Sequence, residues 1–172
     1  MKKLFLTFTL ILTTLVSAST SFSLSTIDNE TINISELKIS ETESGLKFDE
    51  FKGKPVLLTL FGHRCPPCLK EIPEFIKITN KYKDLEIVAI ESQLYPLTQL
   101  KEFVAEHGIN YKVVAGTDHA DFIDYIGRMA GYGKGIPLPL LIAVNKEGEV
   151  EHVQAGLIRA DELEMLVKDL SD

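Results

Sequence analysis

This sequence predicts an α/β sandwich with a central mixed β-sheet flanked by helices, on three observations. Val56-Leu57-Leu58-Thr59-Leu60-Phe61 is an almost unbroken apolar run of strand length, and Leu140 to Val144 is another. Such runs suit strands buried on both faces. Between them, segments with helical apolar spacing alternate with shorter apolar runs, as when helices connect the strands of one sheet. Lys146-Glu147-Gly148 puts turn chemistry between the run ending at Val144 and Val150 to Val153, so the last two strands form a hairpin.

Taken in order, residues 19–54 are polar with short alternating pieces. Phe22-Ser23-Leu24 and Thr31-Ile32-Asn33-Ile34 read as short strands around a turn at Asp28-Asn29, and Glu41 to Gly45 reads as a loop. Phe51-Lys52-Gly53-Lys54-Pro55 is turn chemistry before the first buried strand. After that strand, Leu69, Ile72, Ile76 and Thr79 form one helical stripe, with Pro73 inside the helix as an expected kink. Leu85 to Ile90 is a second buried strand, Leu97 to Glu106 an amphipathic helix, Tyr111 to Val114 a short strand and Asp118 to Met129 a helix. Gly131 to Gly135 is a loop that lacks phosphate-loop spacing, with Lys134 available to line a groove. Ala160 to Leu170 is a final amphipathic helix.

The chain starts Met1-Lys2-Lys3, continues with a mostly apolar run from Leu4 to Val16, and exits through Val16-Ser17-Ala18. These are the parts of a secretory signal peptide. The run of 13 residues is shorter than the roughly 18 of a spanning helix. The expectation is a signal over residues 1–18, with an uncleaved membrane tether as the alternative, followed by one domain over 19–172. Export places that domain in the periplasm or another extracytoplasmic space. The formal net charge is −7, and an acidic surface argues against nucleic acid and anionic membranes as partners. No dimerisation segment stands out, so a monomer is the default.

Both cysteines of the chain lie in Phe61-Gly62-His63-Arg64-Cys65-Pro66-Pro67-Cys68. Three readings compete: a structural staple, half a metal site, or a redox pair. A bridge across two residues restrains little of the unfolded chain, which weakens the first. A zinc site lacks a second cysteine pair, and Leu69 after Cys68 rules out haem attachment. His107, His119 and His152 show no ligand spacing with the pair. A copper carrier using Cys65, Cys68 and a histidine remains the alternative of another class.

The redox reading has the most physical support. Cys65 falls where a strand ends and a helix begins. Free N–H groups and the helix dipole there favour a thiolate. Pro66 suits the first helical position, and Arg64 and His63 add positive or potentially positive charge. Cys65 would attack a disulfide, and Cys68, one turn on, would resolve the mixed disulfide. Glu71 lies one further turn along and is a candidate to handle the Cys68 proton. Ile136-Pro137, between a glycine loop and a buried strand, is a candidate cis-proline turn. It would leave the Ile136 backbone free to pair with substrate.

The run Val56 to Pro73, the preceding Phe51 to Pro55, Gly135-Ile136-Pro137 and Lys146-Glu147-Gly148 together resemble the TlpA/ResA/CcmG group of thioredoxin-like proteins. The resemblance spans roughly residues 20–170. It implies a thioredoxin-like fold with an extra N-terminal β-hairpin, outside the cytoplasmic membrane. It implies dithiol–disulfide exchange on protein substrates, often reductive and often in cytochrome c maturation. No cofactor is implied beyond the Cys65–Cys68 pair. Electrons would come from a membrane reductase of the DsbD or CcdA type. The resemblance also implies a cis bond at Pro137 and proton handling by Glu71; Pro137, Ile136, Arg64 and Pro66 are the candidate substrate contacts. Two departures stand out. Arg64 replaces the tryptophan usual before the first cysteine, and Thr59 occupies the position of thioredoxin's buried aspartate. The positive or potentially positive charge of Arg64 and His63 keeps a disulfide oxidase or isomerase of the same fold in contention.

Overall fold

The computed structural model describes residues 20–40, 43–133 and 135–171. The expected signal or tether over residues 1–18 and Lys134 lie outside them. A five-stranded sheet forms the centre, built from β4 (Val56–Phe61), β5 (Glu86–Glu91), β6 (Lys112–Ala115), β7 (Leu140–Val144) and β8 (Val150–Ala155). Its order is β6-β5-β4-β7-β8. β4 pairs parallel with β5 and antiparallel with β7, so the sheet is mixed as expected. All six residues of β4 and all five of β7 are buried, which accounts for their unbroken apolar runs.

Residues alternate between the two faces of β4. Leu57 and Phe61 pack into the layer of α1 (Pro66–Lys81), α2 (Leu97–Glu106) and α4 (Ala160–Ser171). Val56, Leu58 and Leu60 face α3 (Ala120–Met129) and the N-terminal strands, meeting Phe122, Ile126, Leu24, Ile32 and Ile34. α1 runs uninterrupted through Pro73.

The expected N-terminal hairpin is a three-stranded antiparallel sheet of β1 (Ser21–Ser25), β2 (Thr31–Lys38) and β3 (Ser44–Phe48). The third strand corrects the loop reading that reached Gly45. Glycine and lysine in Ser44-Gly45-Leu46-Lys47-Phe48 masked an alternation in which Leu46 and Phe48 are buried. Gly45 is needed there, because a Cβ would lie 2.0 Å from the Gly148 carbonyl oxygen. Leu46 N–H donates to that same oxygen at 2.8 Å, tying the small sheet to the β7–β8 turn. At its other end, Ile27 N–H donates to the Val113 carbonyl at 2.8 Å, partly covering the edge strand β6. Among the described residues no helix is long and apolar enough to cross a membrane.

Candidate active site

The site is built where β4 ends and α1 begins. Cys65 is the N-cap of α1 in an extended conformation, and Pro66 and Pro67 fill its first two helical positions. Neither proline has an N–H. The first N–H the helix can offer is therefore that of Cys68, and it donates to Cys65 Sγ at 3.3 Å. Cys65 and Cys68 form a disulfide with Cα atoms 5.2 Å apart. Both are buried, Cys65 at 7% and Cys68 at 1% exposure, in a cluster with Phe61, Ile72, Leu100 and Phe103. Arg64 and Pro66 are exposed beside them.

Glu71 sits one turn beyond Cys68 at 3% exposure. One oxygen accepts the Ile158 N–H at 2.8 Å. Burial pushes its pKa up to about 7, against the opposing pull of that bond. Tyr111 lies near enough for the Glu71 charge to add to burial in raising its phenol above the usual range. Thr59 shares the β4 face of Leu57 and Phe61 by alternation. Its hydroxyl is buried with no hydrogen-bond partner among the described residues.

The segment before Cys65 is gripped by residues that the sequence reading did not single out. Glu91 ends β5 opposite Phe61 and is fully buried. Its Oε1 accepts from the backbone N–H of His63 at 3.3 Å and of Gln93 at 3.1 Å, and its Oε2 accepts from that of Tyr95 at 2.9 Å. His63 Nδ1 lies 2.9 Å from Oε1. The His63 ring stacks on Tyr95 with centroids 3.8 Å apart. Gln93 Oε1 accepts the Arg64 N–H at 2.9 Å, and a Cβ at Gly62 would meet the Gln93 side chain at 2.3 Å. The available signal was an acidic residue closing the apolar strand Glu86-Ile87-Val88-Ala89-Ile90-Glu91.

Among the described residues the cis peptide falls at Leu138–Pro139, not at Ile136–Pro137. The segment Ile136-Pro137-Leu138-Pro139 holds two X–Pro bonds, and the cis one directly precedes β7. Ile136 instead packs against α3, where a Cβ on Gly127 would meet its Cδ1 at 2.6 Å. Leu138 packs against the cluster that holds the two cysteines. The remaining histidines are dispersed. His107 Nδ1 bonds the Phe103 carbonyl, His119 Nε2 accepts the Ser25 N–H, and His152 pairs with Gln154.

The Redoxin family profile matches residues 18–167. The chain is 32% identical over 113 residues to the thiol-disulfide oxidoreductase ResA of Halalkalibacterium halodurans, covering 64% of this chain and 59% of that protein. It is 30% identical over 129 residues to ResA of Bacillus anthracis, covering 73% of this chain and 69% of that one. The chain thus spans only about three fifths of the length of the first of these relatives. The fold is similar to that of a secreted Mycobacterium tuberculosis disulfide oxidoreductase homologous to Escherichia coli DsbE. The TM-score is 0.62 at 16% identity, over 86% of this chain and 95% of that one. With a family profile spanning almost all of it and a disulfide closed across Cys65-Pro66-Pro67-Cys68, this chain belongs to the Redoxin family, in its ResA-like group of thiol–disulfide oxidoreductases.

Proposed function

We propose that the chain reduces disulfides in exported proteins outside the cytoplasmic membrane, with apocytochrome c as a substrate class. The observation that carries the reductive direction is the bare start of α1. Pro66 and Pro67 remove two N–H groups, so Cys65 Sγ is served by one donor, Cys68 N–H. Cys65 is also largely out of water. Few donors and burial both make a thiolate costly. A poorly stabilised reduced form gives up its electrons readily.

In the cycle, the Cys65 thiolate attacks one sulfur of a substrate disulfide. A Cys65–substrate disulfide forms and the second substrate sulfur leaves as a thiolate. Cys68 passes its proton to the Glu71 carboxylate, then attacks Cys65 Sγ. The substrate's first sulfur leaves, the substrate has gained two electrons, and Cys65–Cys68 is closed. A carboxyl group with a pKa of about 7 is matched to moving that proton near neutral pH. A membrane dithiol donor of the DsbD or CcdA type would reopen the pair. Pro66 and Arg64, exposed beside Cys65, would meet the substrate, with the Leu138 backbone in the role first expected of Ile136. The ResA relatives support the class, and the M. tuberculosis oxidoreductase that shares the fold is itself a secreted protein.

The oxidase or isomerase reading draws on the exposed Arg64 beside Cys65, whose charge would favour the thiolate. Equilibration with thiol–disulfide buffers decides between them. A potential at or below about −250 mV, on the thioredoxin side of the known range, supports the reductase; one near about −120 mV overturns it.

A further inference from the structure

Glu91 is a fully buried carboxylate that the exchange cycle does not use. Burying a carboxylate is costly unless it is paired and hydrogen-bonded. Here three backbone N–H groups and an imidazole nitrogen converge on it. An ionised carboxylate only accepts, so with Glu91 ionised His63 Nδ1 is the donor. The proton on Nδ1 and the orientation of the ring are fixed together, and Tyr95 holds the other side of the ring by stacking. Nε2 is then the nitrogen left to take up a second proton.

We propose that Glu91 is a positioning residue for the redox pair: acting through His63, it places an imidazole able to carry charge two residues before Cys65 and so eases ionisation of the Cys65 thiol. With His63 protonated, the pair is a dipole whose positive end lies on the nucleophile's own segment, while the negative end is buried on β5. Cys65 loses its proton to solvent, and the thiolate forms on the same short segment as that positive end. Among the described residues the titratable groups touching His63 are Glu91 from β5 and Tyr95 from the β5–α2 loop, and Arg64 and Cys65 follow it in its own segment. The inference rests on the redox reading of Cys65.

The test uses the chain with Cys68→Ser, which leaves Cys65 as its sole cysteine. Iodoacetamide alkylation rates are measured from pH 5 to 9 in that background, alone and with E91Q, H63N or both. E91Q is expected to slow alkylation at pH 6 by about fivefold and move the rate profile to higher pH. In the H63N background E91Q should change the rate less than about twofold, because coupled residues are non-additive. An unchanged profile in E91Q, or an equal shift in both backgrounds, overturns the proposal. If the variants do not fold, long-range proton–nitrogen spectra of the unmodified chain decide instead. Neutral His63 protonated on Nδ1 supports the proposal, and protonation on Nε2 alone overturns it. Alkylation reports on the thiol irrespective of turnover, so failure to reduce protein disulfides would sink the proposed function and leave this result standing.

Discussion

A carboxyl group held near pKa 7 by burial keeps its proton in the folded chain at pH values where the unfolded chain has already lost it. The folded state then binds more protons, and stability falls as pH rises through that window. For Glu71 the window runs from the ordinary carboxyl value of 4.5 to about 7, and the full penalty, reached above it, is roughly 3 kcal/mol. Glu71→Gln keeps an acceptor for Ile158 N–H and removes the ionisation. Urea unfolding of the oxidised protein at pH 4.5 and pH 8 should show wild type losing about 3 kcal/mol relative to E71Q between the two. A constant difference would mean that Glu71 does not hold the proton. Cys65, Cys68 and Glu71 were legible in the sequence because they share one helix and their spacing is local. Glu91 was not, because its partner His63 lies 28 positions away and only the parallel pairing of β4 with β5 brings them together. Pro139 was missed because Ile136-Pro137-Leu138-Pro139 offers the same signal twice, and only the start of β7 distinguishes the two.

The start of α1 makes its own prediction at the scale of the element. An N-cap side chain ordinarily accepts from the N–H of the second or third helical residue. Here the second is Pro67, so only Cys68 N–H is offered. Pro67→Ala returns a donor at that position. A hydrogen bond to a charged group contributes about 1.5 kcal/mol, and 1.4 kcal/mol corresponds to about 30 mV for a two-electron couple. Stabilising the reduced form raises the potential, so P67A should be about 30 mV less reducing in thiol–disulfide buffers. No change would detach the potential from the helix start. Helix α2 was readable to its ends because its apolar positions repeat with helical period. β3 was not, because Gly45 and Lys47 look like loop residues until the close approach of Gly148 explains the glycine. Pro73 lies inside α1 as the sequence reading expected, and the helix continues past it without the bond an N–H there would have given to the Leu69 carbonyl.

At the scale of the whole molecule, redox state and stability form one thermodynamic cycle. Folded and unfolded chains each exist oxidised and reduced. The difference between the folding energies of the two forms equals the difference between the redox free energies of the folded and unfolded pairs. The span from thioredoxin-like to DsbA-like potentials, about 150 mV, corresponds to about 7 kcal/mol in this cycle. The folded surroundings of Cys65 decide the sign. A disulfide carries no charge and packs without penalty beside Phe61, Ile72 and Leu100, whereas a thiolate there must be desolvated with one N–H to meet it. The β-sheet order that puts α1 and α2 on one face creates that apolar surround, so the surroundings that act on the pair belong to the fold as well as to the motif. Urea unfolding of the oxidised and fully reduced protein, side by side at pH 7, should find the oxidised form more stable by a few kcal/mol. A reduced form more stable than the oxidised one would reverse the sign of the cycle, give the pair the character of an oxidant, and assign Arg64 and the His63–Glu91 pair a greater pull on the Cys65 thiolate than burial and the two prolines exert against it.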